Sequence, residues 1–70
     1  MPPKIRDLKA RLNKAGFEMR PGKGSHTVWR HPLVPQIKLT LSGHDGDDAK
    51  PYVVRDVNDA LMSLKEVKGE

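Results

Sequence analysis

His26 is the residue around which chemistry can be built. It closes the stretch Pro21-Gly22-Lys23-Gly24-Ser25-His26 and opens Thr27-Val28-Trp29-Arg30-His31-Pro32. Two glycines and a proline favour a turn over a helix, and the β-branched and aromatic run behind them reads as a strand. Such a turn offers backbone N–H groups, the Lys23 ammonium and the Ser25 hydroxyl beside an imidazole. Together these suit an anionic, phosphate-bearing ligand and a proton transfer near neutral pH. The plainer alternative is an ordinary hairpin with a solvated histidine at a strand edge, and the stretch taken alone favours it.

Competing chemistries are few. There is no cysteine, no pair of carboxylates set for acid–base work, and no metal-ligand spacing. The acidic run Asp45-Gly46-Asp47-Asp48 invites a calcium reading. Counted from Asp45, however, the loop glycine of a calcium hand falls on Lys50 and its final bidentate glutamate on Asp56. Neither a metal nor a small-molecule cofactor is expected.

The chain has 70 residues and a net charge of +4. That length suits one small domain over 1–70, and the missing cysteines suit a reducing compartment. No run approaches the roughly 18 apolar residues of a membrane span. Met1-Pro2-Pro3-Lys4 has no apolar stretch behind it, so no secretory signal and no membrane partner are expected, and the location is read as cytoplasmic. Charge is unevenly placed: residues 1–31 hold eight basic and two acidic side chains, residues 32–70 five basic and seven acidic. The glycine turn and His26 lie in the basic half, which points to a polyanion partner on one face.

These residues need positioning elements. Ile5, Leu8, Leu12 and Ala15 recur at spacings of three and four, one apolar stripe of a helix. Pro2 or Pro3 suits its first turn, and Gly16 reads as the left-handed residue just past its end. Phe17-Glu18-Met19-Arg20 alternates as a short strand, and a second strand runs from about His26 to His31. Pro32-Leu33-Val34-Pro35 makes the next connection, before the strict alternation of Gln36-Ile37-Lys38-Leu39-Thr40-Leu41 predicts a third strand. The acids after Gly43 are expected to complement the N-terminus of a last helix. Pro51 opens that helix, Val53 or Val54, Val57, Leu61 and Leu64 make its stripe, and Lys68-Gly69-Glu70 frays.

The order is α-β-β-β-α, an α+β fold in which two helices cover one face of a three-stranded antiparallel sheet. Double-stranded-RNA-binding domains share this order, an analogy of fold that carries little about chemistry.

Nearly the whole chain resembles HicA-type toxins. The likeness rests on the helix end Lys14-Ala15-Gly16-Phe17, then Gly22-Lys23-Gly24-Ser25-His26, then Trp29-Arg30-His31-Pro32. The resemblance implies a double-stranded-RNA-binding-like fold, cleavage of mRNA as an mRNA interferase, and a HicB-like antitoxin as partner. It makes the motif histidine, here His26, the catalytic residue. His44 stands where many members carry a histidine after the third strand. Beyond it the sequence departs, with Asp45-Gly46-Asp47-Asp48-Ala49-Lys50-Pro51-Tyr52 in place of a lysine-rich segment leading into Gly-Thr-Leu.

Chemistry alone supports the same reading. Cutting RNA without a metal requires a base for the ribose 2′-OH, for which a neutral imidazole is suited. It also requires donors for the charge growing on the phosphate. His26 fits the first role. Lys23, Arg20, Arg30 and the backbone of Gly22, Gly24 and Ser25 are candidates for contacting RNA.

His31 lies five residues along the same strand, roughly 17 Å away at 3.3 Å per residue. Odd spacing puts it on the opposite face, as a structural or rim residue. A meander brings the end of the third strand beside the start of the second, so His44 is the better second catalytic candidate, with a solvated loop histidine as its alternative. Because a working His26 must reach solvent, His26, Val28 and Arg30 are expected to face outward. Thr27, Trp29 and His31 then face the helices, with Trp29 in the core. Two rival functions remain: an RNA-binding module that does not cut, and a protein-interaction domain whose core a partner completes.

Overall fold

The computed structural model describes residues 1–69. Helix α1 spans Ile5–Lys14, strands β1, β2 and β3 span Glu18–Pro21, Thr27–Arg30 and Leu39–Leu41, and helix α2 spans Pro51–Lys68. The sheet is antiparallel in the order β1-β2-β3. This is the expected α+β architecture, with Ile5, Leu8 and Leu12 of α1 and Val53, Val57, Ala60 and Leu64 of α2 sharing one core with Trp29, Leu39 and Leu41.

Helix α1 begins later than the prolines suggest. Lys4 is its N-cap, and the Asp7 carboxylate accepts the Lys4 N–H at 2.8 Å. Lysine has no acceptor to offer the first turn, so the N–H groups of Ile5 and Arg6 donate instead to the Asp47 and Asp45 carbonyls, at 2.9 and 3.1 Å. At the other end Gly16 takes φ +93°. Its N–H donates to Asn13 and that of Phe17 to Leu12, the paired bonds of a Schellman close. Leu12 and Phe17 are both buried, which supplies the apolar contact of that motif.

The register pairs Glu18 with Arg30 and Arg20 with Val28 on one side, and Thr27 with Leu41 and Val28 with Thr40 on the other. Trp29 is 1% exposed while Arg30 is exposed, so the outward set of β2 is the expected one. Phe17 joins the core, but Met19 stays half exposed although it is paired with Trp29. Met19 sits on the edge strand, past the reach of helix side chains that meet Trp29, Leu39 and Leu41.

Three expectations are corrected. Alternation predicts a strand from Gln36, yet β3 begins at Leu39. Val34 N–H donates to His31 and Ile37 N–H to Val34, two successive turns that drive Val34 fully into the core. Ala60, not Leu61, completes the buried stripe of α2, with Leu61 half buried beside it. Helix α2 remains helical through Lys68 and is closed by Gly69 at φ +77°, while Glu70, the last residue of the expected fraying, lies outside the described residues. Neither helix is long and apolar enough to cross a membrane.

Candidate functional site

The turn between β1 and β2 is built by its own backbone. Gly22 N–H donates to the His26 carbonyl at 2.8 Å, and His26 N–H donates to the Lys23 carbonyl at 3.0 Å. Gly24 takes φ +59° at the first central position of that inner turn. A positive φ there matches the twist of the flanking strands, and open space surrounds the position. Gly22 serves differently: a Cβ on it would stand 3.3 Å from both the Cβ and the carbonyl oxygen of His26. The Ser25 hydroxyl accepts the Gly43 N–H at 3.1 Å, tying the hairpin tip to the chain leaving β3. Of the N–H groups in the turn, those of Lys23, Gly24 and Ser25 have no intramolecular partner among the described residues.

The register then decides which side chains share a surface. Directly opposed residues lie on one face, about 4.5–5.5 Å apart at Cβ. Glu18 and Arg30 form one row, and Arg20, Val28 and Thr40 the next. The Gly22–His26 bond continues the β1–β2 ladder one row further, so alternation puts His26 on the face of Val28 and Arg30. This is the face the helices leave uncovered. A groove of about 600 Å³ runs over it, lined by Glu18, Arg20, Val28, Arg30, Lys38 and prolines, with an edge of His31 at its end. His26, Arg20 and Arg30 are thus brought to one surface, with Lys23 exposed at its hairpin end.

Lys38 belongs to this surface and had no role in the sequence reading. Continued one place beyond Leu39, the ladder sets Lys38 opposite Arg30. The signal was the register, which alternation alone does not supply.

The other histidines separate. His31 is 8% exposed. Its Nδ1 accepts the Leu33 N–H at 3.1 Å, and its ring meets Phe17 edge-on at 5.2 Å. It is a structural residue of the inner face. His44 is exposed, its N–H donating to the Asp47 carboxylate at 2.9 Å. It follows Gly43, so its backbone lies beside the hairpin tip that holds Ser25.

The family model described as the HicA toxin of bacterial toxin–antitoxin systems matches residues 5–68. The chain belongs to the HicA toxin family. Neither the curated proteins nor the solved structures give a match to it.

In this HicA toxin the acidic segment has a use other than the expected one. It complements α1 rather than α2, whose first turn has no acid. Lys9 Nζ donates to Asp45 at 2.6 Å, Lys4 pairs with Asp48, and Ala49 N–H donates to the Pro3 carbonyl. The Lys9 ammonium, by hydrogen bond and then by charge, holds the Asp45 carboxyl below its usual range, helped by Arg6 and His44 and opposed by partial desolvation. Two cations of the basic half, one at the N-cap of α1 and one on the helix, are therefore neutralised. The sheet face keeps exposed cations, with Glu18 as the one acid lining its groove, while Arg6, Arg11 and Lys14 stay exposed on α1.

Proposed function

We infer that this HicA toxin is a metal-independent mRNA interferase, an endoribonuclease whose general base is His26. The observation that carries the reading is the meeting of an exposed imidazole with Arg20 and Arg30 on one uncovered sheet face. In the reaction an imidazole nitrogen of His26 takes the proton of a ribose 2′-OH. The 2′ oxygen bonds to the adjacent phosphorus and the bond to the 5′ oxygen breaks. The departing oxygen takes a proton, leaving a 2′,3′-cyclic phosphate and a 5′-hydroxyl. Lys23 and the free N–H groups of Lys23, Gly24 and Ser25 are suited to the charge that grows on the phosphate oxygens. Gly22 gives His26 its room, and His44, beside the tip, is the candidate donor to the leaving oxygen.

A HicB-like antitoxin is the proposed partner, masking an exposed reactive face, and the substrate sets the site of action in the cytoplasm. The test is incubation of the purified chain with single-stranded RNA in EDTA, beside the His26→Ala and Lys23→Ala variants. Cutting should fall at least about 100-fold in His26→Ala, the low end for acid–base catalysis, with RNA affinity retained. Lys23→Ala should instead lose affinity. RNA binding without cutting by the parent chain would make it an RNA-binding module. Co-expression with a HicB-like antitoxin should restore growth and give a complex that co-purifies.

A further inference from the structure

Four cross-strand relationships converge on the uncovered sheet face. Arg30 stands opposite Glu18 on β1 and, by continuation of the ladder, opposite Lys38 on the approach to β3. One row nearer the hairpin, Arg20 stands opposite Val28. His26 follows one row further. The groove lies over the first two of these rows and its lining stops short of His26; it has a half-buried aliphatic floor at Val28, cations on both sides of it and prolines at its rim.

We propose that this groove is the track of a single RNA strand, which runs along β2 from the scissile phosphate at His26 to a distal phosphate held between Arg30 and Lys38. The proposal rests on the endoribonuclease reading for the end of the track but not for its existence. Charge complementarity argues for the occupant. Arg20, Arg30 and Lys38 face one carboxylate, Glu18, and none of the three cations makes a salt bridge among the described residues. From His26 to Arg30 is four residues, roughly 13 Å of strand, so the distal clamp engages a phosphate beyond the one being cut. The width argues for one strand. From β1 to β3 the face measures about 10 Å, two strand spacings, and its cations form one cluster rather than the two phosphate ridges of a duplex. Val28, with no aromatic beside it, offers a sugar or base an apolar seat without stacking. Glu18 sits at the β1 corner of the far row and repels phosphate there, which turns the distal backbone toward β3 and Lys38.

Binding to a short single-stranded oligonucleotide with 2′-O-methyl riboses tests this, because that probe has no 2′-OH to react. Lys38→Ala should lower the slope of log K against log salt by about 0.7, equivalent to roughly 5-fold weaker binding at 0.1 M salt. Glu18→Gln should bind more tightly than the parent. Lys65→Ala, an exposed lysine on α2, should leave the slope alone. Thermal melts equal to the parent exclude unfolding, since all three side chains are exposed. If Lys38→Ala and Glu18→Gln bind as the parent does, the track is wrong, whether or not RNA is cut at His26. If the salt effects appear but the parent never cuts RNA, the track stands and the endoribonuclease reading fails. Loss of antitoxin binding in Lys38→Ala with RNA binding untouched would assign the groove to a protein partner and overturn the proposal.

Discussion

The His26 carbonyl accepts the Gly22 N–H at 2.8 Å, and a Cβ on Gly22 would stand 3.3 Å from the Cβ of His26. The residue proposed as base is therefore seated over a position that tolerates no side chain without moving it. Gly22 has no positive φ, so a substitution there is not strained by its own backbone. Gly22→Ala should keep its melting temperature within a few degrees of the parent while cutting falls roughly 10- to 100-fold, the scale of a sub-ångström to 1 Å misplacement. Equal rates in parent and variant would mean that the close approach does not position His26.

His26 and His31 should fail in opposite ways. His31→Ala removes the acceptor of the Leu33 N–H and the ring that meets Phe17. It should lower stability by about 1–3 kcal/mol in urea unfolding, and activity should follow the folded fraction. His26→Ala should melt with the parent and lose turnover. A stable His31→Ala chain that no longer cuts RNA would move the chemistry to the inner face.

Two glycines with positive φ should differ in cost. At Gly24 a methyl group meets nothing within 4 Å, so Gly24→Ala carries only the left-handed penalty, about 1–2 kcal/mol. At Gly16 the same methyl also lies 3.2 Å from Nε2 of His31. Gly16→Ala should therefore be the more destabilising in denaturant titrations. The reverse order would show that His31 yields freely.

The Lys9–Asp45 pair predicts an acid limb of stability. Lys9 depresses the folded-state pKa of Asp45, so the native state prefers the carboxylate. That contribution is complete above the unfolded value, about 3.9, and is lost as pH falls below it through the folded value. Asp45→Asn should melt below the parent at neutral pH, and the two curves should converge as the pH falls below the unfolded carboxylate value. High salt should shrink the gap, since the pair is exposed. A gap that persists in acid would assign the effect to the Asp45 backbone, whose carbonyl accepts the Arg6 N–H.

Periodic features of the chain were legible because they are local. Ile5, Leu8 and Leu12 fall on one helical face whatever surrounds them, and Gly16 ends that helix because only glycine takes φ +93° without strain. The parity of β2 followed from the same logic: if His26 faces out, so do Val28 and Arg30, and Trp29 goes in. The resemblance carried by Gly22-Lys23-Gly24-Ser25-His26 indicated the family and the histidine proposed to act. Alternation over Gln36–Leu41 misled because it is blind to Val34, whose burial pulls the preceding turns inward and delays β3 to Leu39.

Tertiary structure alone decided what stands beside what. Continued by one place, the β2–β3 pairing sets Lys38 opposite Arg30, and the β1–β2 ladder puts His26 on the same face, a relation that no spacing along the chain encodes. It also sent the acidic loop to α1, because Ile5 and Arg6 had N–H groups that Lys4 offers no side-chain acceptor for, while the Asp45 and Asp47 carbonyls lay within reach. Local patterns state which face a residue shows. Only closure of the chain on itself states what that face meets, since hydrogen-bond and charge partners are satisfied by proximity in space and not by order in sequence.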